Sequence, residues 1–151
     1  INQLKGNGLD GIILAAAGIL RMSLENTITQ RLSADRFIPS AGQGVLCVQY
    51  LKKNTLLEKT LVKHVNKNTQ LCADVERCFV DEINGDCMSP IGINARVLGE
   101  EIIVNAIVSD FYGKNFIKLK FTDNKKNAKN TGRKLANIFL KQGAKKLLKM
   151  Y

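Results

Sequence analysis

The apolar spacing of this chain changes period across one short segment, Gly85-Asp86-Cys87-Met88-Ser89-Pro90-Ile91-Gly92. Before it, Leu71, Val75, Phe79 and Ile83 recur every four residues, which puts them on one face of a helix. After it, alternation with period two predicts strands at Ile91–Leu98, Ile102–Ser109 and Asn115–Phe121. Gly99-Glu100-Glu101 and Asp110-Phe111-Tyr112-Gly113 are the expected hairpin connections. Asn68 or Thr69 is the expected cap of the helix before the segment. Asp123-Asn124 precedes a further helix from about Lys126 to Lys141, ended by Gly143, and a short last helix follows. Residues 66–151 therefore predict an α+β unit of helix, three antiparallel strands and helix. Gly85 is expected to take positive φ after the helix, and Pro90 keeps the helix from resuming. Cys87 is then held on a loop, where reactive groups occur more often than in helix interiors.

The first third of the chain has a different texture. Ile1-Asn2-Gln3-Leu4 resembles the end of a helix, and Gly6-Asn7-Gly8 a turn. Leu9–Ala15 is an apolar run expected to form a strand buried on both faces, as in parallel sheets. Ala15-Ala16-Ala17-Gly18 then opens a helix with small side chains, and Arg21 follows one turn later. Small residues at that junction let an anionic ligand approach backbone and helix N-terminus. Leu24–Leu32 reads as a short helical or irregular link. Phe37–Gly44 is rich in turn formers, Val45–Tyr50 predicts a strand, and Asn54–His64 a helix. Residues 1–50 contain too few strands for a closed sheet, so they predict the tail of a larger α/β domain.

A hydrophobic content of 45% with 24% charged residues places the chain among globular proteins. The longest apolar run, Ile12–Leu20, falls short of the roughly 20 residues that a membrane span needs. Cys47, Cys72, Cys78 and Cys87 show no Cys-x-x-Cys spacing, and the single histidine, His64, completes no ligand set, so no metal site is expected. Cys72 and Cys78 fall in the helical pattern and are expected in the core. With no secretory signal at the start, reduced thiols in a cytoplasm are the default expectation. The net charge is +10, and residues 111–151 hold twelve Lys or Arg against one acid, Asp123. Such a surface suits anionic partners, although lysines on a solvated face produce the same pattern. The basic tail lacks interleaved aromatics and any nucleic-acid motif, so a nucleic-acid or other anion-binding module is the second reading.

Four motifs in register carry a resemblance. They are Leu9-Asp10-Gly11-Ile12-Ile13-Leu14-Ala15-Ala16-Ala17-Gly18 with Arg21, Pro39-Ser40-Ala41-Gly42-Gln43-Gly44, Glu76-Arg77, and Gly85–Gly92. Together they resemble the C-terminal half of the porphobilinogen deaminase (hydroxymethylbilane synthase) family. The resemblance implies a transferase that joins four porphobilinogen units into a linear tetrapyrrole with release of ammonia, in haem biosynthesis. It implies a dipyrromethane cofactor held through Cys87, contacts to that group from Arg21 and the Ala15 backbone, and a cleft-lining turn at Gln43 and Gly44. The implied partners are porphobilinogen and oligopyrrole polycarboxylates, in a monomeric cytoplasmic enzyme.

On the same pattern, residues 1–37 end a domain like those of periplasmic binding proteins, residues 38–64 form a crossing strand and helix, and residues 65–151 form the cofactor-carrying α+β domain. Glu76 and Arg77 are expected to form an ion pair beneath the cysteine loop. No residue matches the family's catalytic aspartate; Asp10 and Asp86 stand outside its motif, so this chain alone is expected to be inactive. The family's usual Gly-Gly-Cys is Gly85-Asp86-Cys87 here, which places a carboxylate beside the thiol.

Overall fold

The computed structural model describes residues 8–149. The helix end expected at residues 1–4 lies outside them. The chain divides into two units, Ile1–Leu32 and Ser33–Tyr151.

Within the first unit, α1 (Ala16–Arg21) begins among the small residues, as expected. Glu25–Thr27 make one 3₁₀ turn in the link that follows. The strand expected at Leu9–Ala15 is not formed; those residues are irregular and exposed. A strand exists only through a hydrogen-bonded neighbour, and the sole sheet of the described residues is built by other segments. The same reason applies to Val45–Tyr50 in the second unit, which carries no strand and leaves Leu46 88% exposed.

The second unit is organised around β1 (Ile91–Leu98), β2 (Glu101–Ser109) and β3 (Phe116–Asn124), an antiparallel sheet in the order β1-β2-β3. Leu98 pairs with Glu101, so Gly99 and Glu100 form the tight loop. Gly99 takes φ +60°, a turn position that a side chain would strain. β3 continues to Asn124, three residues beyond the expected end, because its whole length pairs with β2 from Ser109 back to Glu101.

Two helices cover one face of this sheet. α3 (Lys67–Ile83) follows the shorter α2 (Thr55–Val62), and α4 (Ala128–Lys141) leads to α5 (Ala144–Leu147). The cap of α3 is Asn66, whose side chain accepts from the Thr69 N–H, and not Asn68 or Thr69. Val75, Phe79 and Ile83 are buried against Ile93, Ile102, Val104, Leu135 and Phe139. Leu71 packs at the margin of the same core. Cys72 and Cys78 are only half-buried. The rings of Phe79 and Phe139 meet edge to face at 5.1 Å between centroids. Gly132 lets α4 approach α3: a Cβ there would lie 2.4 Å from the Val75 carbonyl oxygen.

The segment Ile38–Gly44 runs as a strap beside β1. The Ile93 N–H donates to the Pro39 carbonyl at 2.7 Å. Gly92 makes room for the strap, since a Cβ on it would stand 2.7 Å from the Ile38 carbonyl oxygen.

Candidate functional site

Cys87 sits in the turn between α3 and β1, and both flanks of that turn are pinned. On the helix side, Asn84 takes the left-handed conformation at φ +59°. The Asn84 N–H bonds to the Asp81 carbonyl and the Gly85 N–H to the Val80 carbonyl, a Schellman ending. The residue with positive φ is thus Asn84, not Gly85 as expected. Gly85 leaves room for the tip of Ile91, which a Cβ would meet at 2.4 Å and push aside. On the strand side, the Ser109 N–H bonds to the Pro90 carbonyl, which ties the loop exit to the end of β2.

Asp86 organises the turn itself. One carboxylate oxygen, Oδ1, accepts from the Met88 N–H at 3.0 Å and from the Ser89 hydroxyl at 2.8 Å. The Ser89 hydroxyl oxygen in turn accepts from the Asp86 N–H at 3.0 Å. The Ser89 hydroxyl, followed by the Met88 N–H, holds the Asp86 carboxyl below its usual range. The Asp86 carboxylate therefore spends its hydrogen bonds inside the turn, and Cys87 is left exposed at its tip. An accessible thiol on a braced turn can form a covalent bond to a ligand without moving the core.

Gln43 and Gly44 are exposed at the far end of the strap. Gly42 and Gly44 have φ of +70° and +85°, and the Val45 N–H closes the turn on the Gly42 carbonyl. The turn is anchored by Glu76, which is buried in α3. Its two carboxylate oxygens accept from the Gly42 N–H at 2.8 Å and from the Ala95 N–H of β1 at 2.7 Å. The expected ion pair with Arg77 is absent, because Arg77 points to the exposed side of α3 while Glu76 points inward. The backbone-clamping role of Glu76 escaped the sequence reading. The available signal was its place four residues after Cys72 and three before Phe79, inside the buried stripe.

The structure thus brings the Cys87 loop and the Gln43 turn onto the same strand, β1. They are not adjacent: Glu76 precedes the end of α3 by about two turns, or about 10 Å. Ala15 and Arg21 belong to the other unit. Ala15 caps the start of α1 without a side-chain bond, and Arg21 is the exposed last residue of that helix, where a cation suits the helix dipole. Among the described residues, no group of three or more His, Cys, Asp or Glu could hold a metal ion. No helix among them is long and apolar enough to cross a membrane.

Residues 1–59 match the family model for the porphobilinogen deaminase dipyromethane cofactor binding domain. Residues 70–141 match the model for the porphobilinogen deaminase C-terminal domain. The chain belongs to the porphobilinogen deaminase family. Relatives named porphobilinogen deaminase include that of Campylobacter hominis, 41% identical over 99% of this chain. Another, from Campylobacter jejuni subsp. doylei, is 40% identical over the same share, and one from Campylobacter concisus is 34% identical. The chain spans about half the length of these curated relatives, 49% of the first two. Cys87 lies in the stretch matched by the C-terminal model, whereas Ala15, Arg21, Gln43 and Gly44 lie in that matched by the cofactor-binding model.

Proposed function

We propose that this chain is the cofactor-carrying part of a hydroxymethylbilane synthase, the transferase that joins four porphobilinogen units and releases ammonia. The observation that carries the proposal is the exposed Cys87 thiol on a turn braced from both sides, in a chain of this family. Sulfur is the suitable anchor, since it is nucleophilic and its bond to carbon resists hydrolysis through many turnovers. The residues present fit a dipyrromethane held there. The thiol is accessible, and the neighbouring Asp86 carboxylate is engaged within its own turn. When bound, that group supplies the pyrrole end to which further units are joined.

The chain's own residues bind and orient. Arg21 supplies a planar fork for one of the many acetate or propionate groups on the oligopyrrole. Ala15 offers backbone without side-chain bulk, and Gln43 with Gly44 lines the cleft. Residues 1–37 act as the end of a domain built like a periplasmic binding protein lobe, residues 38–64 as the crossing to the remainder, and residues 65–151 as the cofactor-carrying domain. Proton transfer at the reacting centre is assigned to none of these residues, so the chain alone does not consume porphobilinogen. The whole protein works as a cytoplasmic monomer on porphobilinogen and oligopyrrole polycarboxylates, without nucleic acid or membrane.

The test is the intact mass of the native protein, followed by mapping of the Cys87 peptide. An adduct of two pyrrole units on Cys87, lost in Cys87→Ser, is the expected result. An unmodified Cys87 in protein that turns over porphobilinogen would sink the assignment.

A further inference from the structure

Glu76 is 5% exposed, and none of the ion pairs of the described residues involves it. Its partners are two backbone N–H groups, at 2.8 Å from Gly42 and 2.7 Å from Ala95. Two donors on two separate oxygens require a carboxylate; an amide side chain would turn its NH₂ toward one of them. A buried carboxylate without a cation is costly to keep. A site that needed only packing would be served by an apolar residue. What this carboxylate does is join two separately matched parts of the chain. Gly42 lies in the stretch matching the cofactor-binding domain and Ala95 in that matching the C-terminal domain. Beside it is a cavity of about 220 Å³ lined by Gln43, Cys72, Asn94 and Val97. Cys72, on α3 itself, is the other titratable group on that lining; the strap and β1 contribute no charged side chain to it.

We infer that Glu76 is a positioning residue, whose carboxylate fixes the Gly42-Gln43-Gly44 turn in register with β1 and so presents that turn to the oligopyrrole. The inference rests on the reading of the turn as part of the cleft. The strap's other contacts, Pro39 to Ile93 and Ile38 over Gly92, sit nearer the Cys87 loop and do not involve Glu76. Loss of the carboxylate therefore frees the Gln43 end of the strap alone.

Amide hydrogen exchange on this chain tests the clamp. In Glu76→Gln, exchange at Gly42, Gln43 and Ala95 should rise about tenfold or more while Val104 and Phe139 stay within about twofold. Unchanged exchange at Gly42, or a uniform rise across the sheet, would overturn it. If that variant does not fold, the wild-type chain decides: the Gly42 and Ala95 amide resonances should titrate with the Glu76 carboxyl at one shared midpoint. Separate midpoints would refute the clamp. In the native protein that carries this chain, Glu76→Gln should raise the KM for porphobilinogen about tenfold with kcat nearly unchanged. A fall in kcat at constant KM would make Glu76 merely structural. Absence of wild-type turnover would instead count against the proposed function, and the exchange result would still judge the clamp.

Discussion

Three carboxylates in the second unit do three different jobs, and their surroundings explain each. Asp123 receives the Asn127 amide at 2.7 Å, the Lys134 ammonium at 2.8 Å and its neighbour's Asn124 N–H at 2.7 Å. The first of these, followed by Lys134, holds its carboxyl down to about 2. Its folded value lies below the ordinary 3.8, so its contribution to stability is complete above that pH and is lost as the pH falls toward about 2. Asp123→Asn should therefore lower stability at neutral pH by about 1 kcal/mol and flatten the acid limb of the unfolding profile between those values. Denaturant unfolding at a series of pH values checks both. Glu76 behaves oppositely: burial pushes its carboxyl up against the two N–H bonds that pull it down. A raised folded value means that stability is highest below the ordinary 4.5 and declines as the pH climbs through the raised value, which is the cost of keeping the ionised clamp buried. Asp86 works inside the cysteine turn, so Asp86→Ala should loosen that turn and change the rate of thiol alkylation little, since Cys87 is exposed already. A large change in labelling rate with a small reagent would contradict that account.

Helix and strand boundaries followed local chemistry where packing agreed with it. The four-residue apolar spacing correctly located α3, because a helix end capped by Asn66 and closed by Asn84 satisfies its own backbone groups. The cap lies a few residues before the expected one because Asn66, Asn68 and Thr69 all have capping side chains, and only the bond from the Thr69 N–H separates them. Between helices, the decisive residue is Gly132. Its Cβ would strike the Val75 carbonyl and approach the Cys78 Cβ at 3.0 Å, so Gly132→Ala has to push α4 away from α3. We expect a loss of about 1–3 kcal/mol, seen as a lower midpoint in urea with an unchanged slope. Gly99→Ala changes only a turn with open space around it, and its cost of about 1 kcal/mol comes from the positive φ. A Gly132→Ala variant as stable as wild type would contradict this close approach of α4 to α3.

For the molecule as a whole, apolar surface is distributed unequally. The core gathers α3, α4 and the inner face of the sheet, while residues 45–65 leave Leu46, Leu51, Leu56 and Val62 exposed. Limited trypsin digestion of the chain should thus cut first at Lys52, Lys53, Lys59 or Lys63 and spare the lysines of α4 longer. Early cutting within α4 would contradict this ordering.

The period change around Cys87 was enough to define a helix, three strands and the exposed loop between them, because each of those elements carries its own repeat, caps and turns. The family motifs, read in register, were likewise present in the residues themselves. Packing decided the rest. Leu9–Ala15 and Val45–Tyr50 have strand composition, yet a strand is a property of a pair, and no described segment pairs with either. Glu76 and Arg77 are adjacent in sequence, but a helix turns about 100° per residue, so one faces the core and the other solvent. Which backbone groups then meet that buried carboxylate depends on where a distant strap and strand come together, and only the tertiary structure sets that.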